Sequence, residues 1–176
     1  LGLKYFCGAA EDHTNQIYEG INNYPHYSGV RTFSKEEMNR LLDVCGLCYR
    51  QYYYPYPDYK LPEEIFTQNS LQHNKIPYIT YDQDRFSLFC EADMFNQLTK
   101  EHIVDRFFNS FFIEASMQEI RHESQPEYCK LNQNRKPEFR TGTYICKVNQ
   151  RKVVKKTALH PAAQAHLQKT IAASRL

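Results

Sequence analysis

The densest apolar stretch of the chain lies between residues 100 and 123, and it constrains the fold more than any other feature. Its apolar residues recur at helical spacing, with four phenylalanines at the centre: Ile103, Val104, Phe107, Phe108, Phe111, Phe112, Ala115 and Ile120. An apolar stripe of this width is typical of a helix that is covered on more than one side. Thr99 can cap such a helix, and Pro126 ends it. The sequence therefore predicts a long central helix over 100–123.

A second helix is predicted over 34–53. Ser34 and Glu37 have the spacing of a capping box at the start of a helix. Apolar residues then recur at i, i+3 and i+4 on one face. Because Pro55 disfavours helical geometry at the residue before it, we expect the helix to end just before Tyr54.

The remaining predicted elements are shorter. Three further helices are expected, over 62–71, 86–98 and 161–174. Two segments are rich in β-forming residues, 76–81 and 141–148. An internal proline restricts the first of them to an edge strand, and the second is expected to be a single strand or an extended arm.

These elements together predict a mainly α fold: a small helical domain with long, irregular Tyr/Pro-rich connections and an extended basic C-terminal segment. Three regions follow from this. Residues 1–33 form an extended N-terminal arm, residues 34–126 form the helical domain, and residues 127–176 form a basic extended segment that ends in a short helix. The 41% hydrophobic fraction includes 14 Tyr and 6 Cys, so we expect the core to be modest.

Charge is divided unevenly along the chain. Residues 1–128 hold 11 Lys and Arg against 19 Asp and Glu, a net charge of −8. Residues 129–176 hold 11 Lys and Arg against the single acid Glu138, a net charge of +10, and the two parts sum to +2. Such a split bears on partners rather than on fold. It predicts that the basic segment lies against an acidic partner or against the acidic front of its own chain.

Two groups of residues are candidates for partner binding. The basic segment contributes Arg135, Lys136, Arg140, Arg151, Lys152, Lys155 and Lys156. The Tyr/Pro run 52–59 contributes Tyr53, Tyr54 and Tyr56, because tyrosine offers a large contact area and prolines keep the run extended. The alternative for this run is a loop packed on its own domain. The alternative for the basic residues is a solvated face or tail.

The sequence contains no catalytic, cofactor or metal motif that stands above background. Cys45 and Cys48 have the spacing of a redox pair, but they fall late in the predicted helix 34–53, whose negative end raises rather than lowers the pKa of a thiol. Two small buried thiols are the favoured interpretation. A zinc site would need two more ligands, and Cys129 and Cys146 lie 17 residues apart with no second C-x-x-C. We therefore expect no enzyme activity, no cofactor and no bound metal.

The sequence also predicts a location. No run of about 18 apolar residues occurs, so neither a membrane span nor a membrane partner is predicted. The first ten residues hold no long apolar stretch and so do not resemble a signal peptide. The six cysteines are then expected to be reduced thiols in the cytoplasm.

The composition is polar and rich in Tyr, Pro and Asn, and in this style the chain resembles the small proteins that line ciliary doublet microtubules. The resemblance implies a non-enzymatic structural role on tubulin and a cytoskeletal or ciliary location. The predicted function is a structural interaction protein that binds a large acidic assembly through its basic segment and its Tyr-rich arms.

Two alternative functions remain open. The first is a nucleic-acid-binding protein that uses residues 130–156, although only Phe139 and Tyr144 are available there for stacking on bases. The second is a thiol redox enzyme at Cys45 and Cys48.

Overall fold

The chain folds around an antiparallel β-sheet, which corrects the mainly α prediction. A computed structural model describes residues 35–57, 59–74, 76, 89–108 and 110–173. Within these residues the sheet has six strands in the spatial order β3-β1-β2-β4-β5-β6. The strands are β1 (Tyr49–Tyr56), β2 (Glu64–Thr67), β3 (Phe112–Ser116), β4 (Gln125–Leu131), β5 (Thr141–Val148) and β6 (Arg151–Ala158).

The helices are short and accompany the sheet rather than forming the core by themselves. The α-helices of the described residues are α1 (Lys35–Val44), α2 (Gln68–His73), α3 (Glu91–Lys100) and α4 (Gln164–Ala173). Single 3-10 turns occupy Val104–Arg106, Pro137–Phe139 and Pro161–Ala163.

The core lies on one face of β1 and β2. β1 pairs with β3 on one side and β2 on the other, so it is a central strand whose alternate side chains point to opposite faces. Tyr52, Tyr54 and Tyr56 share one face with Phe66 of β2. The buried cluster is completed by side chains from the helices and the chain that follows them: Leu71, Ile76, Phe95, Val104 and Phe108.

The predicted long helix over 100–123 is wrong. The preceding helix α3 ends at Lys100, and His102 has a φ of 58°, a left-handed conformation that interrupts a helix. After one 3-10 turn the chain becomes β3. A short run of Phe and Ile fits a buried strand as well as a helix, and here pairing with β1 decides between them.

The predicted helix over 34–53 is correct only in its first part. α1 ends at Val44, and Gly46 follows with a φ of 74°, a conformation that glycine adopts without strain and that commonly ends helices. β1 starts three residues later. Its tyrosines had matched the helical spacing, yet aromatic residues also favour strands.

The other predicted elements fared unevenly. The final helix is confirmed as a 3-10 turn and α4 that begin at Pro161. The strand over 141–148 is confirmed as β5, and it forms a hairpin rather than a lone arm. The helix over 62–71 is instead β2 followed by α2, and the helix over 86–98 corresponds to α3, which begins later.

Some predictions lie outside the described residues. They are the N-terminal arm over 1–33 and the edge strand over 76–81, of which only Ile76 is described. The division into regions at 126/127 stays a prediction. β4 runs across this boundary, and the sheet continues from β2 through β4 into β5.

Candidate interaction surface

The hairpin of β5 and β6 forms one edge of the sheet. Its strands pair in continuous register from Val148 and Arg151 at the turn to Thr141 and Ala158 at the far end. Asn149 and Gln150 connect them with φ angles of 47° and 64°. Positive φ at both central residues is the signature of a type I′ turn, whose twist matches that of an antiparallel ribbon. This tight turn fixes the register of β6.

β6 is exposed along nearly its whole length. Seven of its eight residues are exposed and only Ala158 is half-buried. Val153 and Val154 keep 38% and 61% of their surface exposed. Four cations flank these two valines: Arg151, Lys152, Lys155 and Lys156. Because successive residues of a strand point to opposite faces, each face of β6 shows a cation, a valine and a second cation.

Most of this positive charge has no local counter-charge. Lys152 Nζ lies 3.3 Å from Glu127 Oε2 on β4, and Lys155 Nζ donates to Ser124 Oγ at 2.8 Å. Among the described residues, no carboxylate lies within ion-pair distance of Arg151 or Lys156. The edge therefore presents a cationic strip to its surroundings.

The other predicted basic residues lie at the far end of the hairpin. Arg135 and Lys136 are exposed in the connection between β4 and β5. Arg140 is half-buried, with its Nε donating to the Arg135 carbonyl at 2.9 Å and its own carbonyl accepting from Leu159 N. A strand rises about 3.3 Å per residue, so the eight residues of β6 span roughly 26 Å. The cations of β6 lie toward its turn, and Arg135, Lys136 and Arg140 lie near its other end.

Residues 52–57 of the Tyr/Pro run are not an exposed arm, and for them that interpretation is corrected, whereas Tyr59 is exposed. Tyr54 and Tyr56 are 0% and 1% exposed. Their rings make edge contacts with Phe108 at 5.2 Å and Phe95 at 5.4 Å. Prolines did not exclude this run from the sheet: Pro55 lies in β1, one residue before the strand ends, opposite Ile65 of β2. Partner binding by Tyr53, which is half-buried on the opposite face, stays a prediction.

A polar cluster anchors α1 to this core. Lys35 Nζ lies 2.6 Å from Asp105 Oδ2 and donates to Tyr54 OH at 2.8 Å. Tyr54 OH also donates to Gln68 Oε1 at 2.6 Å. Burial alone would lower the pKa of Lys35, but the bonds to Asp105 and Tyr54 outweigh it and raise that pKa. This cluster explains why a tyrosine can be fully buried here, since its hydroxyl is satisfied.

The face of the sheet opposite the core carries a shallow apolar groove of about 250 Å³. Its lining comes from five strands and includes Tyr53, Ile65, Thr67, Phe112, Cys129, Leu131 and Tyr144. Tyr53 OH donates to Glu114 Oε2 at 3.2 Å. Burial and the Glu114 carboxylate raise the pKa of Tyr53 to about 12. No residue of this groove belongs to β6.

The cysteines differ from their predicted placement. Cys45 and Cys48 are exposed between α1 and β1, so the prediction of two buried thiols is wrong. Cys129 and Cys146 are buried in β4 and β5. Burial raises the pKa of Cys129 to about 12, despite a bond from Tyr144 that lowers it. The five cysteines of the described residues are all free, and those residues contain no group of three metal-ligating side chains.

Sequence reasoning missed the valines of the surface and the hairpin that presents them. The missed residues are Val153 and Val154. Because charged residues flank them on both sides, the sequence suggested a solvated tail rather than a strand. A signal was present: Asn149 and Gln150 separate two β-rich runs by two residues, the commonest hairpin spacing.

Comparison with protein-family models, curated proteins and solved structures gave no match for this chain. In the part of the chain that the structure describes, every helix is too short or too polar to cross a bilayer.

Proposed function

We propose that this protein is a non-enzymatic interaction protein that binds an acidic protein assembly through the β6 edge. The observation that carries this proposal is the exposure of four cations on a strand that has no neighbour on its outer side in the described sheet. A cation-lined surface of one sign attracts a partner of opposite sign and speeds their association. The microtubule is the first assembly to test, because the composition of the chain resembles that of proteins that line it.

The valines of β6 favour an acidic protein over a nucleic acid. Binding to a phosphate backbone requires cations and hydrogen-bond donors, and single-stranded bases stack on aromatic rings. β6 instead places Val153 and Val154 between its cations and carries no aromatic residue. Apolar side chains at the centre of a charged surface match a protein partner, whose interface has an apolar centre and a polar rim.

The experiment neutralises β6 and compares it with an equal change elsewhere. The test variant carries Lys152→Gln, Lys155→Gln and Lys156→Gln. The control variant carries Lys100→Gln, Arg106→Gln and Lys169→Gln, three exposed cations outside β6, so both lose the same charge. Binding to polymerised microtubules is measured by co-sedimentation at low and at high ionic strength, and binding to duplex DNA by fluorescence anisotropy.

The test variant is expected to bind microtubules about tenfold more weakly at low salt, since three exposed ion pairs together are worth roughly 1–2 kcal/mol. The control variant should stay within about twofold of the parent, and raising the salt should shrink the difference. Equal binding by the test variant and the parent would exclude β6 as the surface. Tighter binding to DNA than to the protein assembly, with the same loss in the test variant, would support the nucleic-acid alternative instead.

A further inference from the structure

The outer edge of β6 has backbone hydrogen-bonding groups as well as charge. In a hairpin with a two-residue turn, the residues that flank the turn exchange both backbone bonds, and bonded and non-bonded pairs then alternate. With Val148 opposite Arg151, the residues of β6 that bond to β5 are Arg151, Val153, Lys155 and Thr157. The N–H and C=O groups of Lys152, Val154 and Lys156 therefore point away from the sheet.

We infer that β6 accepts an extended acidic segment of the partner protein as an additional strand of the sheet. This inference rests on the proposed function, because it uses the same cations, and it adds how the partner is held. Backbone bonds from Lys152, Val154 and Lys156 supply the pairing, as in other proteins that add a strand to an exposed edge. Side chains opposite them supply the specificity.

The sequence of β6 specifies what this strand should contain. The order Arg151-Lys152-Val153-Val154-Lys155-Lys156 is a pair of valines flanked by two pairs of cations. Opposite charges and apolar pairs stabilise directly opposed positions of antiparallel strands. The complement is a pair of apolar residues flanked by two pairs of carboxylates. Such a pattern reads the same in both chain directions.

The same charges exclude a second copy of β6 as the occupant. Two β6 strands that pair antiparallel about Val154 place Lys152 of each copy opposite Lys156 of the other. Like charges directly opposite are destabilising. Lysines on an edge strand also discourage pairing with neutral strands. A cationic edge of this kind therefore disfavours pairing with its own copies and with uncharged strands. An acidic strand removes the repulsion between cations, because it places carboxylates opposite them.

The first test measures the backbone directly in the unaltered protein. The probe is the blocked peptide acetyl-Glu-Glu-Val-Val-Glu-Glu-amide, and the control is the same peptide with every backbone nitrogen methylated, which keeps four carboxylates and donates no backbone bond. Amide hydrogen exchange is followed by NMR at saturating peptide. Exchange at Lys152, Val154 and Lys156 is expected to slow at least about fivefold, because these amides gain a partner. Exchange at Val153 and Lys155, already bonded to β5, should change little.

The second test removes one outward donor and keeps every cation. Proline is tolerated on an edge strand where the missing N–H faces outward, so Val154→Pro should fold, and Val154→Ala controls for the lost side chain. We expect Val154→Pro to weaken binding of the unmethylated peptide about tenfold or more and Val154→Ala to weaken it less.

The outcomes separate this inference from the proposed function. Equal binding of both peptides, unchanged exchange at the three outward amides and a loss only in the neutralised β6 variant would overturn strand addition and leave the acidic-partner proposal standing. Failure of the neutralised variant to lose microtubule binding would overturn the proposed function itself. The exchange measurement on the parent protein stays decisive even if Val154→Pro does not fold.

Discussion

β1 and β6 are both eight-residue strands, one rich in tyrosine and the other rich in cations, and they differ in how far the fold buries them. β1 holds five tyrosines and one proline, lies between two neighbouring strands, and is mostly buried in its second half. β6 holds four cations, lies at the edge, and is exposed almost throughout. Position in the sheet, and not local composition, therefore decides which of these residues become part of the core. The buried tyrosines of β1 stabilise the fold, and the charged strand is the one that stays exposed.

The largest effect is expected when a buried tyrosine of β1 is truncated. Tyr54→Ala removes a fully buried ring and the hydroxyl that bonds Lys35. We expect the free energy of unfolding in urea to fall by about 3–5 kcal/mol, the range for buried aromatic residues. Tyr49→Ala on the same strand, where 47% of the side chain is exposed, should cost less than about 1 kcal/mol. Similar losses in both variants would show that β1 is not the centre of the core.

Alkaline pH should destabilise the fold. Burial raises the pKa of Cys129 from 9.0 to about 12 and that of Tyr53 from 10.0 to about 12. A group with a raised folded pKa stabilises the fold below its unfolded pKa and loses that contribution as pH rises toward the folded pKa. Unfolding free energy should therefore fall between pH 9 and 12, with Cys129 alone contributing about 1 kcal/mol by pH 10.

The check on this pH dependence uses two alanine variants. Cys129→Ala should flatten the decline measured by urea unfolding between pH 8 and 10. Cys48→Ala, at an exposed position, should leave the decline as it is in the parent. An unchanged slope in Cys129→Ala would assign the loss to other groups.

A smaller effect is expected at the turn that sets the β6 register. Gln150 has a φ of 64°, which costs a residue with a Cβ more than it costs glycine. Gln150→Gly should raise the free energy of unfolding by about 0.5–1 kcal/mol, and Asn149→Gly should raise it less, because asparagine tolerates this conformation. Thermal melting distinguishes them, and a lower melting temperature for Gln150→Gly would contradict the type I′ assignment.

The smallest effect is expected on β6 itself. Arg151→Gln combined with Lys156→Gln, two exposed cations without a carboxylate partner among the described residues, should change the free energy of unfolding by less than about 0.5 kcal/mol, the usual range for exposed positions. Lys130→Gln is the contrasting variant, since Lys130 Nζ pairs at 3.3 Å with Glu64, a carboxylate that is 5% exposed. Loss of that partner should cost about 1 kcal/mol or more. A large loss in the β6 variant would make this strand part of the stabilising structure.

The most predictable parts of the fold were the elements that short local sequence signals mark. Pro161 correctly marked the start of the last helix, and the β-formers of 141–148 correctly marked β5, because both signals act on the local backbone. α1 lies inside the predicted helix 34–53, but its end was missed, and the capping box at Ser34 lies outside the described residues. The charge split located the basic residues of the candidate surface from sequence alone, since lysines on a strand edge stay exposed in most arrangements.

The centre of the fold was not predictable from periodicity. The tyrosines of β1 and the phenylalanines of β3 fit helical spacing, and only their pairing across the sheet, Tyr52 opposite Ile113, makes them strands. Such pairing joins residues about sixty positions apart and leaves no local trace. The same limit applied to Tyr54 and Tyr56, whose burial depends on Phe66, Phe95 and Phe108 rather than on their own neighbours in sequence.

The strand order also decides how far apart the charges of the two sheet edges lie. β3 and β6 are the two outer strands; β3 carries the single acid Glu114 and no cation, whereas β6 carries four cations and no acid. Five strand spacings separate the edges by about 24 Å, roughly three Debye lengths at physiological salt. Glu114 is therefore too far away to neutralise the cations of β6, and the β6 edge is the more positive of the two. A negatively charged surface would attract the β6 edge before the β3 edge, so added salt should slow association with such a surface more than it speeds release.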